Sequence, residues 1–256
     1  RMLNSGVLMF KNIVACLFLY LCSIALIYGQ DNRNLDFQFE ETEMAEVKPP
    51  YFGLGGGYIG GFVFPKFDEV TNKFSDFGDL KGSIYLSGAE GFSAIAIIPN
   101  VRLGFFGFNG SKSYEKSRND TTTGVSYASG FTGFSIDYGY VPFKSLAFLG
   151  GVNIGWSNIT IEKYKSTSSV DWNSLSGEPT AYFWRIEGKF WFIEPKINIE
   201  YAITPFFMIR GGVGYSFVFS RKWEYNRFAM VDNVPTSLNT NGLKVQFGLF
   251  LGLFNY

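Results

Sequence analysis

The chain has 256 residues, 22 basic and 22 acidic side chains, no histidine and 19% aromatic residues. Without histidine it lacks the commonest general base and the commonest nitrogen metal ligand, so no enzymatic activity, cofactor or metal site is expected. A balanced charge with no basic tract also argues against nucleic acid as a partner.

Lys11, an apolar run over 13–28, and Gly29 ahead of Gln30-Asp31-Asn32-Arg33 have the layout of a secretion signal. Residues 1–30 are therefore expected to be a signal peptide cut near Gly29 or Gln30, with translation starting at Met2 or Met9. A signal anchor competes, but the run is short for a spanning helix of about 20 residues. Cys16 does not fit a lipidation site, because the apolar run continues past it. Cys16 and Cys22 both lie in the signal, so the mature chain has no thiol and no disulfide. Its removal also takes Arg1 and Lys11, leaving 20 basic against 22 acidic residues.

Residues 31–50 are acidic, lack alternation and end in Lys48-Pro49-Pro50, an extended sequence. They read as a periplasmic lead-in. From 51 to 256 eight strands are expected: 51–64, 83–95, 100–110, 125–140, 146–161, 189–203, 207–221 and 243–256. The clearest is the last. Leu243, Val245, Phe247, Leu249, Leu251 and Leu253 share one face, and Lys244, Gln246, Gly248 and Gly252 the other. All eight are near or above the roughly 9 to 11 residues that a tilted membrane-spanning strand needs.

The expected connections alternate in length. Those around 98–100, 141–144 and 204–206 are tight and contain Pro99, Pro142 and Pro205, whereas 65–82, 111–123, 162–180 and 222–242 are longer and polar. Short periplasmic turns and long outer loops form the outer-membrane pattern, which predicts an all-β, transmembrane, up-and-down antiparallel barrel. A soluble periplasmic sandwich is the competing fold. The Asn-X-Ser/Thr triplets in the chain are read as chance matches.

Ionised side chains facing lipid are costly, so Arg102, Asp137, Glu194, Lys196, Glu200, Arg210 and Lys244 are expected to face the lumen. Asn153, Ser157 and Gln246 join them, and Glu90 does so if the second strand is phased accordingly. An eight-stranded barrel is only wide enough for its interior side chains to fill. Paired charges plugging the lumen are expected, with Arg102 or Arg210 opposite Glu194 or Glu200; a narrow or gated pore is the alternative. Tyr51, Tyr140, Phe143, Tyr201, Phe206, Phe207 and Tyr256 are candidates for an interfacial girdle. Pro195 lies inside the sixth strand and predicts a bulge.

With its export signal, three proline-bearing turns and terminal Gly248-Leu249-Phe250-Leu251-Gly252-Leu253-Phe254-Asn255-Tyr256, the stretch 51–256 resembles the small Gram-negative outer-membrane barrels of the outer membrane protein A and opacity-protein type. The resemblance implies a porin-like barrel in the bacterial outer membrane, with surrounding lipid and the barrel-assembly machinery as partners. It makes Tyr256 the assembly signal, although the usual residue is phenylalanine and Tyr256 is out of phase with the apolar face. No wall-binding domain follows, so wall tethering is not expected. A structural or surface-interaction role is expected, with Trp172, Trp223 and Tyr225 as loop contacts to an extracellular ligand. The alternative is a small pore or passive transporter for ions or hydrophobic solutes.

Overall fold

The computed structural model describes residues 51–73, 80–95, 97–167 and 182–256. The proposed signal, the lead-in and Trp172 lie outside the described residues. The strands are β1 (Phe52–Val63), β2 (Ile84–Ala94), β3 (Val101–Arg118), β4 (Thr121–Phe143), β5 (Leu146–Thr167), β6 (Tyr182–Thr204), β7 (Phe207–Tyr225), the two-residue β8 (Ala229–Met230) and β9 (Gly242–Asn255). One short helix, α1 (Asp68–Lys73), precedes β2.

Each strand pairs antiparallel with its neighbour from β1 to β7, and β9 closes the ring by pairing with both β7 and β1. Eight strands thus form a closed up-and-down barrel, and β8 only extends β7 by two pairs. Closure leaves no unpaired edge within the ring, a requirement for any sheet surrounded by lipid.

The expected alternation is present around the whole circumference. Leu54, Phe62, Phe105, Phe134, Ile154, Trp191, Ile197, Val213 and Leu249 point outward, while the residues between them point into the barrel. Over β1 the inner face is mostly glycine. A Cβ on Gly55 would lie 2.9 Å from the Leu251 carbonyl and 3.0 Å from the Phe254 ring, so glycine is what lets that ring pack inside.

One end of the barrel has tight turns. β4 and β5 join through Lys144-Ser145, and β6 and β7 through Pro205-Phe206. Pro142 lies in β4 itself and not in the turn, which is completed by Ser145 at φ 67°. The other end differs from the sequence expectation. Residues 111–118 and 121–123, expected in a loop, continue the β3–β4 ladder to a two-residue turn at Asn119-Asp120. Both turn residues have left-handed backbones, φ 47° and 55°, as a tight hairpin turn demands. β5, β6 and β7 also run beyond their expected ends at this side.

Pro195 does not produce a bulge. Ile193 pairs with Phe217 and Lys196 with Gly214 in one unbroken register, so the β6–β7 ladder merely lapses at Glu194 and Pro195. Proline lacks an N–H, and the wall accommodates it by losing ladder bonds without slipping. The irregularities of this ladder fall instead between Lys189 and Trp191, opposite Ser220, which has φ 56°, and between Ala202 and Thr204 at the turn.

Candidate functional site: the filled lumen

Because outward-facing positions of the strands are predominantly apolar, the charged residues alternating with them are turned into the barrel. Among the described residues, the buried acidic side chains are Glu90, Asp137, Glu194 and Glu200, and the buried basic ones are Arg102, Lys196, Arg210 and Lys244. Opposite charges therefore balance inside the barrel.

Nearest the turn end, Glu200 of β6 is the hub. Its Oε1 accepts hydrogen bonds from Arg102 Nη1 of β3 at 2.6 Å and Arg210 Nε of β7 at 2.9 Å. Its Oε2 accepts the Tyr51 hydroxyl at 3.0 Å, and the Tyr51 oxygen accepts Arg102 Nη1 at 2.8 Å. Arg102 Nε also donates to Asp137 of β4 at 2.9 Å, and Lys196 is 3.1 Å from the other Asp137 oxygen. Arg210 Nη1 reaches across to both oxygens of Glu90 on β2 at 2.8 Å.

The Nη2 atoms of Arg102 and Arg210 have no hydrogen-bond partner. Their guanidinium groups lie over ring faces: Arg102 over Phe92 at 4.3 Å and Arg210 over Phe250 at 4.1 Å. The quadrupole of each ring supplies attraction that a missing acceptor does not.

Further toward the loop end, Gln246 donates to Asn198 at 2.7 Å. Above that pair, Glu194 accepts Asn153 at 2.9 Å and the Ser216 hydroxyl, and forms an ion pair with Lys244 at 2.5 Å. The Lys244 ammonium is surrounded by Phe131, Phe108 and Phe192, at 3.7, 4.8 and 5.4 Å from their ring centroids. Phe106, Phe108, Phe131 and Phe192 contact one another and fill the next layer. Nearer the loop end, Phe67 beside α1 meets the Tyr127 ring edge-on at 5.1 Å.

All seven charged positions named from the sequence are thus buried within the barrel, and Glu90 joins them. Arg102 and Arg210 both meet Glu200, whereas Glu194 pairs with Lys244. The sequence reading missed the ring faces, Phe92, Phe108, Phe131, Phe192 and Phe250, although each shares the inward phase of its strand.

Two assignments to the girdle are corrected. Tyr51 and Tyr256 are 3% and 5% exposed and stack on each other at 5.1 Å inside the barrel. Tyr51 has the inward phase of Gly53 and Gly55, and Tyr256 that of Phe250 and Phe254. Tyr140, Phe143, Tyr201 and Phe206 do face outward. Trp223, expected as an exposed loop contact, is only 6% exposed and meets Phe190 edge-on at 5.6 Å. Tyr225 is exposed, and the neighbouring Phe228 is 96% exposed.

No protein-family model matches the chain, and no curated protein matches it significantly. Among solved structures it is similar to the attachment invasion locus protein of Yersinia pestis, at 10% identity over 82% of this chain and 100% of that one, with a TM-score of 0.36. It is likewise similar to a major outer membrane protein from Thermus thermophilus (8% identity, 78% and 98% coverage, TM-score 0.41). A third is the outer membrane protein OprG from Pseudomonas aeruginosa (13%, 82% and 96%, TM-score 0.34).

Proposed function

We propose that this chain is an outer-membrane barrel of the small eight-stranded kind, with a lumen plugged by ion pairs and a surface-interaction role at its loop end. The observation that carries the reading is the convergence on Glu200: Arg102, Arg210 and Tyr51 reach it from three other parts of the wall and occupy the cross-section. Balanced, mutually hydrogen-bonded charges are held against one another, whereas an open channel needs a wider barrel.

The apolar outer face supports residence in lipid, and the extension of β3 to β7 well past the length a spanning strand needs, at the end away from the Lys144-Ser145 and Pro205-Phe206 turns, supports that end as the outward-facing one. The barrel-assembly machinery is the proposed partner in biogenesis, with the C-terminal strand ending at Tyr256 as its signal. Tyr225 and Phe228, together with Trp172, are proposed contacts for an extracellular ligand.

Orientation is tested by thiol labelling, since the processed chain should have no cysteine of its own. On intact cells a membrane-impermeant maleimide should modify Ser117→Cys at the hairpin tip, and should modify Lys144→Cys only after the outer membrane is permeabilised. Labelling of Lys144→Cys alone on intact cells would reverse the orientation and remove the surface role.

A further inference from the structure

The loop end carries a cavity of about 480 Å³ that the plug does not use. Its walls are Ile161 of β5, Ile186 of β6 and Val70 of α1, faced by Val231 and Leu238 from the segment between β8 and β9. This volume is within the roughly 300–1,000 Å³ of small-molecule sites, and barrel mouths are among the places where such sites occur.

The lining also defines what would fit. Phenylalanine and tryptophan fill the barrel below, yet no aromatic side chain lines this cavity among the described residues. The branched aliphatic side chains among the described lining residues conform to a flexible chain and present no ring face to it. Glu69, Asp232 and Lys73 are the charged side chains among its described lining residues. The Glu69 carboxylate is held there by the Ser237 hydroxyl, which donates to it at 2.9 Å. Two carboxylates against one ammonium disfavour an anionic headgroup.

We infer that this cavity is a binding site for a small aliphatic amphiphile with an uncharged or cationic head, held above a closed lumen and not passed through it. The inference deepens the surface role proposed above and rests on the loop end being the outer one.

The test uses the full barrel in lipid nanodiscs, with an environment-sensitive dye on Asn72→Cys, an exposed residue of α1 lining the cavity. Hexylamine, hexanol and hexanoate are titrated against it. A saturable emission shift is expected, with the amine and the alcohol acting at about tenfold lower concentration than the carboxylate. The shift should weaken when Val231→Trp or Ile186→Phe narrows the cavity in barrels whose folding, read as a gel-mobility change on heating, matches the parent. An unsaturable shift of the same size in the parent and both narrowed variants would be partition into the bilayer and would overturn the inference. An equal response to hexanoate would overturn the headgroup assignment. Conduction by the lumen would refute the plug and, with it, the statement that the ligand is not passed through; reversed thiol labelling would refute the surface role; in either case a saturable shift weakened in both variants would still locate binding in this cavity.

Discussion

Arg102 and Glu200 lie 98 residues apart in sequence and meet inside the barrel at 2.6 Å, with neither side chain exposed. The pair ties β3 to β6, two strands that are not neighbours in the ring. Removing one partner of a buried ion pair leaves an uncompensated charge and typically costs about 3–5 kcal/mol. Glu200→Ala should therefore lower stability by about that amount, since it takes one of two carboxylate partners from Arg102, which keeps Asp137, and one of two from Arg210, which keeps Glu90. Urea unfolding in lipid vesicles measures it, and Lys116→Ala at the exposed hairpin should stay within about 0.5 kcal/mol of the parent.

Lys244 and Glu194 make a second, separable test. Lys244→Met alone leaves Glu194 buried without its cation, whereas Lys244→Met combined with Glu194→Gln removes both charges. The double variant should be more stable than Lys244→Met, with a coupling energy above about 1 kcal/mol in the double-mutant cycle. Additive effects would mean that Asn153 and Ser216 satisfy Glu194 without the lysine.

The outer wall supports a prediction of opposite sense. Ile197 is 62% exposed on the outward side of β6, next in sequence to the buried pair-former Lys196. Ile197→Arg should cost about 2–4 kcal/mol if this position is near the bilayer midplane and much less near an interface. The same unfolding assay in bilayers reads the difference. A soluble barrel would instead gain or lose almost nothing from this exposed change.

The fold was largely legible because a simple rule holds along each strand: outward positions are predominantly apolar, and the charged residues alternating with them point in. Residues 243–253 and 191–203 obey it almost without exception, and so the inward phase of Glu194, Lys196, Glu200 and Lys244 could be read directly. The hairpin over 111–124 was not legible for the complementary reason. Beyond the apolar belt both faces of a strand are solvated, so Ser113, Glu115 and Thr123 carry no alternation to mark them as paired. Tyr51 and Tyr256 were misplaced because a preference of aromatic rings for interfaces was allowed to outweigh their phase. Which charges meet across the barrel depends on strand stagger, a property of the closed ring that no single strand encodes.

The hairpin region also contains a titration handle. Tyr164 of β5 donates its hydroxyl to Glu115 of β3. Partial burial, reinforced by this carboxylate, pushes the phenol up to about 12. Raised above its unfolded value of 10.0, the group contributes stability that is fully present below pH 10 and lost as pH rises through about 12. The tyrosinate absorbance difference between the parent and Tyr164→Phe should therefore titrate near 12, and Glu115→Gln should bring it downward. A difference titration centred at the ordinary tyrosine value would place the two side chains apart.

Conductance of the refolded barrel in a planar lipid bilayer, with Glu194→Ala and Arg210→Ala as companions, tests the plugged lumen most directly. Silence is expected from the folded parent, with any discrete openings confined to variants in which a cross-lumen ion pair has been removed. Steady ion-selective channels from the parent, altered in selectivity by either substitution, would contradict it and make the same charges the lining of a pore.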